Sequence, residues 1–235
     1  MKLNTNSNTY TFLYASGVVV VVAFLLAFAY AGLKERSDAN ERIDKKQQIL
    51  AALNIRGLDK ADVEAKYKDV VLQDMIVNAK GETLNEGTED TKDEAGFAID
   101  RKDINAESLP LYVCNVDGAK KFVLPMVGKG LWGGIWGFVA LDEDGTTVFG
   151  SYFSHESETA GLGALIKEQK FQEAFSGKKA FAADGTAALT VVKSGNVQNA
   201  ACEVDGITGA TLTSNGVRDM IKEYLGLYTA FLSKQ

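Results

Sequence analysis

From Phe12 to Leu33 the chain reads FLYASGVVVVVAFLLAFAYAGL, and no Asp, Glu, Lys or Arg occurs from Leu3 to Leu33. Such a stretch, as a helix, rises about 33 Å, enough to cross a hydrocarbon core of roughly 30 Å. The pattern predicts a transmembrane helix over residues 12–33 behind a short N-terminal tail, 1–11. Tyr10, Tyr14 and Tyr30 stand near its ends, where amphipathic rings favour the membrane interface. A cleaved signal peptide is the alternative: AYAGLKER offers an imperfect small-residue cleavage site, but the apolar run exceeds the roughly 7–15 residues of a signal-peptide core.

Beyond the span the periodicity changes. Residues 35–54 carry Ile43, Ile49, Leu50 and Leu53 at helical spacing among charges, a helix leaving the membrane that Gly57 stops. Ala61–Tyr67 reads as a second short helix and Val70–Asn78 as a strand. Residues 82–103 hold eight acidic and three basic side chains with few apolar ones, the composition of a solvated loop. From Leu111 short β segments follow, LYVCNV, KFVLPMV, GIWGFVAL and TTVFGSYFS, separated by Asp- and Gly-rich turns. Leu165–Phe175 reads as a helix and Leu189–Val192 as a strand. The chain closes with an amphipathic helix over Val217–Leu232, whose apolar face is Val217, Met220, Ile221, Tyr224, Leu225, Tyr228, Phe231 and Leu232. The expected fold class is α+β: one N-terminal transmembrane helix, then a sheet-rich domain with peripheral helices. Residues 34–105 form a helical and acidic-loop region packed on the soluble domain, and 106–235 form the sheet-rich domain itself.

Composition narrows the function. The 235 residues carry a net charge of −6, and after the span 24 basic residues face 31 acidic ones. This argues against a nucleic-acid binder, which presents a basic face. With Cys114, Cys202 and the single His155, the chain lacks the roughly four clustered ligands of a structural zinc or iron–sulfur site, so no metal site is assigned. The cysteines read as buried reduced thiols; a disulfide stays open if the domain lies outside the cytoplasm. Lys and Arg counts around the span slightly favour a cytoplasmic C-terminal side. No triad or carboxylate dyad is apparent, and no catalytic residue is assigned; His155 reads as a surface or hydrogen-bonded structural histidine.

The segment 205–216, DGITGATLTSNG, carries the candidate chemistry. It is a small-residue turn feeding the last helix, with Asn, Ser and Thr as N-cap candidates. Gly209 and Ala210 let a bulky group approach the backbone. Thr208, Thr211, Thr213 and Ser214 supply hydroxyls, and a helix start supplies free N–H groups, together a phosphate seat. A well-capped helix without a ligand satisfies the same residues.

The run Asp205, Gly206, Thr208, Gly209, Ala210, Thr211 resembles the flavinylation motif of the FMN-binding domains in the Na+-translocating NADH:quinone oxidoreductases and their Rnf relatives. The C subunit of the former is the family this chain resembles over nearly its whole length. The resemblance implies FMN bound covalently through its phosphate to Thr211, by a separate flavin transferase. Asp205 and Thr208 then serve that enzyme or the local structure. HESETAGLG, 155–163, resembles the family's H-x-E-T-P-G-L-G stretch, with Ser157 and an extra register residue before Glu158 and Ala160 in place of proline. It puts Glu158, Thr159, Gly161, Leu162 and Gly163 near the cofactor. GKGLWGGIWGFVALD, from Gly128, resembles the family's G-x-G-L-W segment and puts Leu131 and Trp132 beside the isoalloxazine ring; core packing is the other reading of Trp132 and Trp136. Lys193 is a candidate positive charge near the flavin or its phosphate, or else an exposed strand lysine.

The resemblance implies an electron-relay role within a membrane complex coupling NADH oxidation and quinone reduction to Na+ export. It makes the chain part of an oxidoreductase, not catalytic alone. It further implies a single-pass protein of the bacterial inner membrane with its soluble domain outside the cytoplasm. Partners are the other subunits, the flavin transferase and membrane lipid, with no nucleic acid. The alternatives are the equivalent flavin subunit of an Rnf-type ferredoxin:NAD+ complex, or a membrane-tethered non-redox ligand-binding domain.

Overall fold

The structure is a computed structural model that describes residues 5, 7–87 and 92–235. It divides into two units, one ending at Lys45 and the other running from Lys46 to Gln235. The boundary falls inside the first helix, α1, which spans Asn8–Ala52.

In the first unit α1 is one uninterrupted helix. Ser7 starts it, its Oγ accepting Tyr10 N–H at 3.2 Å. The Tyr10 and Tyr14 rings stack with centroids 6.2 Å apart. The apolar window has a mean hydropathy of 2.5 and none of it is buried. By length and composition α1 can cross a membrane. The helices expected over 12–33 and 35–54 are continuous because LKERSDANER holds no breaker.

The second unit opens with the last turns of α1. Ile49, Leu50, Ala52 and Leu53 are buried. Lys46 is buried too, bonded to Glu64 at 2.6 Å and Asp93 at 2.7 Å. Asn54, at φ 61°, ends the helix rather than Gly57, and its Nδ2 donates to Phe149 O at 2.9 Å. Then come α2 (Lys60–Val70), β1 (Val71–Val77), β2 (Thr83–Glu86), β3 (Leu109–Val116), β4 (Ala119–Lys129), β5 (Gly134–Asp142) and β6 (Val148–His155). They are followed by α3 (Gln169–Glu173), β7 (Thr190–Val192), β8 (Glu203–Asp205) and α4 (Thr211–Leu232).

The main sheet has the order β2-β1-β3-β4-β5-β6, antiparallel throughout. Asp117 and Gly118, both at positive φ, make the tight turn between β3 and β4. β7 and β8 form a separate parallel pair. α4 lies on the sheet at β4 and beside β7, burying the apolar face read from its sequence. From the last third of α4 the Tyr228 hydroxyl donates toward Pro110 O at 2.6 Å and Pro125 O at 3.1 Å.

The acidic run 82–103 is more structured than a solvated loop. Residues 83–86 form the edge strand β2, and Ala95, Gly96 and Phe97 are buried. The buried Asp74 carboxylate holds that segment, accepting Ala95 N–H at 3.0 Å and Phe97 N–H at 2.9 Å. Residues 88–91 of the run lie outside the described residues. The helix expected over 165–175 is split into a 3₁₀ turn, Gly163–Lys167, and the short α3. Cys114 is buried and Cys202 partly so; both are free thiols, and burial pushes the Cys114 thiol up.

Candidate functional site

α4 begins at Thr211, six residues before its apolar periodicity does. Its N-cap is Ala210, which offers no side-chain oxygen, and the first helical bond runs from Ser214 N–H to Ala210 O at 2.9 Å. The N–H groups of Thr211, Leu212 and Thr213 therefore have no acceptor among the described residues. Free N–H groups at the positive end of a helix dipole attract an anion. Thr213, Ser214 and Asn215, the expected caps, lie inside the helix. Tertiary contacts hold these turns: Ser214 Oγ accepts Ile207 N–H at 3.0 Å.

The approach to the helix is tied to β7. Gly206 N–H donates to Val192 O at 2.9 Å. Asp205 Oδ1 accepts Gly195 N–H at 2.7 Å, and Thr208 Oγ1 lies 2.8 Å from Ser194 Oγ. Gly209 takes φ 79°, and a Cβ there would stand 3.0 Å from Leu162 Cδ2, so the turn and the 155–163 segment touch at this point. Lys193 directly follows β7 and is exposed, with no hydrogen bond or ion pair to its ammonium among the described residues. Of the four motif hydroxyls, Thr208 is engaged with Ser194, and Thr213 and Ser214 are buried and bonded. Thr211 alone is exposed with its hydroxyl unengaged among the described residues.

The third wall comes from the β4–β5 turn and the end of β6. Gly130 N–H donates to Gly133 O at 2.8 Å, closing the turn that carries Leu131 and Trp132. The buried Glu158 carboxylate joins this turn to α4: Oε1 accepts Trp132 N–H at 2.8 Å and Oε2 accepts the Thr213 hydroxyl at 2.5 Å. Ser157 Oγ donates to Trp132 O at 3.0 Å. His155 Nδ1 accepts Glu158 N–H at 3.2 Å, so this nitrogen carries no proton. Burial, with Lys167 nearby, lowers the His155 pKa against the opposing pull of Glu158. Where the family pattern has proline, Ala160 stands in a turn closed by Leu162 N–H and Ala164 N–H on Thr159 O, both 3.1 Å.

On these segments four large apolar side chains stay exposed: Leu131 at 47%, Trp132 at 65%, Leu162 at 42% and Leu212 at 59%. Trp132 is thus not a core residue. Trp136 is partly buried, donating Nε1–H to Gln48 at 2.9 Å beneath the Arg101 guanidinium, 3.8 Å from its ring. Leu212 and the Glu158–Thr213 bond escaped sequence reasoning. The only available signal for Leu212 was an apolar residue out of phase with the α4 face.

Residues 130–226 match the FMN-binding domain family. The C subunit of the Na(+)-translocating NADH-quinone reductase of Vibrio alginolyticus is 31% identical, over 96% of this chain and 93% of its own. The chain belongs to this family of C subunits. Its Pseudomonas aeruginosa member is 32% identical over 98% of this chain and 97% of its own. The crystal structure of the Parabacteroides distasonis C subunit superposes with a TM-score of 0.78 at 37% identity, covering 86% of this chain and 98% of that one. The fold here is α+β, with a long apolar N-terminal helix, a sheet-rich domain and a C-terminal helix. The flavin-domain match includes the Leu131–Trp132 turn, the 155–163 segment and Thr211 alike. Among the described residues no cluster of His, Cys, Asp or Glu is fit to hold a metal.

Proposed function

We propose that this protein holds FMN in a phosphoester to Thr211 and relays electrons within a membrane complex that oxidises NADH, reduces quinone and exports Na+. The observation that carries the reading is the singular state of Thr211. It is the one exposed, unengaged hydroxyl of its motif, and it stands beside three free helix N–H groups. A phosphodiester there keeps one negative charge, which the helix start favours. Bound FMN supplies the redox chemistry, and the protein supplies placement and polarity.

The surroundings fit such a group. Leu131, Trp132, Leu162 and Leu212 give an isoalloxazine ring apolar surface outside the core. Thr159, Gly161 and Gly163 line the turn beside them, Gly209 and Ala210 leave room at the phosphate, and Lys193 adds positive charge. Asp205 and Thr208 hold the turn in shape through Gly195 and Ser194. Among the described residues no base is hydrogen-bonded to the Thr211 hydroxyl, so a flavin transferase supplies one. The Oγ1–P bond forms, the phosphoanhydride of an activated flavin nucleotide breaks, a nucleoside monophosphate leaves, and the hydroxyl proton passes to the transferase. Residues 12–33 cross the bacterial inner membrane once, in contact with lipid. The 34–105 region and the flavin domain, 106–235, lie on its outer side, and the other subunits of the complex are the partners. End-to-end coverage by relatives from the NADH-quinone reductase supports this assembly over an Rnf-type complex.

The test is in-gel fluorescence. The full chain is expressed with a flavin transferase, denatured in SDS and illuminated, with Thr211→Ala and Thr213→Ala alongside. The expected result is a fluorescent band lost only in Thr211→Ala. A dark wild-type band beside a working positive control would replace the electron relay with a tethered, non-redox ligand-binding domain.

A further inference from the structure

Glu158 is buried, yet no Lys or Arg pairs with its carboxylate among the described residues. A buried carboxylate without a cation is costly unless donors satisfy it. Here two do, Trp132 N–H on Oε1 and the Thr213 hydroxyl on Oε2. The slot is made by missing side chains. A Cβ at Gly130 would collide with Oε1, and one at Gly163 with both Oε2 and Thr213 Oγ1. His155 Nδ1 accepts Glu158 N–H and so fixes its backbone. An apolar side chain would fill such a space at lower cost, but it could not tie the β4–β5 turn to α4.

We propose that Glu158 is a positioning residue: through Trp132 N–H and the Thr213 hydroxyl it sets the turn carrying Leu131 and Trp132 against the first turn of α4, and its carboxylate places a negative charge between those two elements, close to the proposed flavin site. The inference rests on flavin attachment at Thr211. Glu158 then acts on the cofactor through two neighbours and through its charge, not by contact. A negative charge near the ring opposes the arrival of electrons, so its removal makes the flavin easier to reduce.

The experiment uses the full chain flavinylated in membranes and purified in detergent, as wild type, Thr213→Val, Thr213→Ser and Glu158→Gln. In-gel fluorescence reports attachment; visible circular dichroism reports ring placement; a redox titration reports the potential. A fluorescent band is expected in all four. Thr213→Val, isosteric but without a donor, changes the visible dichroism and the potential, and Thr213→Ser restores both. Glu158→Gln keeps both hydrogen bonds, its amide now donating to Thr213 Oγ1, and raises the potential with little change in dichroism. Fluorescent variants with wild-type dichroism and potential overturn the proposal and leave the Thr211 reading intact. If Thr213→Val does not accumulate, Glu158→Gln decides alone, and an unchanged potential overturns the proposal. A dark wild type removes the Thr211 reading and this proposal with it.

Discussion

Two glycines on α4, Gly216 and Gly226, are expected to respond oppositely to the same substitution. A Cβ on Gly216 would lie 2.2 Å from Lys129 O and 3.3 Å from Ile135 Cδ1, whereas one on Gly226 meets nothing within 4 Å. Alanine in place of glycine inside a helix gains about 0.8–1 kcal/mol. At the exposed Gly226 that is the whole effect, so Gly226→Ala stabilises by roughly 1 kcal/mol. At Gly216 the same gain is opposed by a clash with backbone. Comfortable non-bonded contact needs about 3.5 Å, so α4 and β4 must part by roughly 1 Å. Overpacking of this kind costs about 1–3 kcal/mol. The two variants should therefore differ by about 1–3 kcal/mol, with Gly216→Ala neutral to destabilising. Urea unfolding of the full chain in detergent, followed by tryptophan emission, measures this, because Trp132 and Trp136 both report on the second unit. Equal midpoint shifts of the same sign would refute the seating of Gly216 on the Lys129 carbonyl.

Other outcomes follow from the same structure. Tyr228→Phe should destabilise by about 1–2 kcal/mol, because Pro110 O and Pro125 O lose their shared donor in the core; a wild-type urea midpoint would contradict this. Lys46→Met should cost about 2 kcal/mol, less than the ~3–5 kcal/mol of a fully buried pair, because water reaches Glu64, 44% exposed, and screens it. Thermal unfolding checks this, and no loss would mean that Lys46 contributes only through its stem. His155 gives a pH dependence. An unfolded imidazole titrates near 6.5 and the native ring at a lower pH, so below about pH 6.5 the unfolded state binds a proton that the native state refuses. Stability should fall from there down to the native value. His155→Asn, whose Oδ1 can still accept Glu158 N–H, should flatten that slope in urea midpoints taken at successive pH values; an unchanged slope would assign it to other groups.

Much of the fold was legible because local rules and tertiary packing agree. β3 to β6 alternate with Asp–Gly turn chemistry, and α4 from Val217 onward shows its buried face in its spacing. β2 and β8 were illegible: Thr-Leu-Asn-Glu and Glu-Val-Asp have no apolar run, and only pairing makes them strands. Phe97 was masked by surrounding charge, although buried Asp74 organises its segment from 21 or more residues away in sequence. The first two turns of α4 are mostly polar and are held by Glu158, Ile207 and the close approach of Lys129 to Gly216, none of which periodicity can report. The motif marked Thr211 through resemblance alone. Why that hydroxyl differs from Thr208, Thr213 and Ser214 depends on partners in the segments that follow β6, β7 and β8, which only the fold brings near.

Gly216 on the Lys129 carbonyl, like Gly128 against Met220, means that α4 rests on β4 partly through backbone. Such a contact has no rotamers to exchange and little slack to take up. A flavin attached at Thr211, as proposed, would be unable to swing toward one redox neighbour and then another as if on a flexible arm. Any change in the distance electrons must cross has to come from displacement of the whole domain or of the neighbours around it.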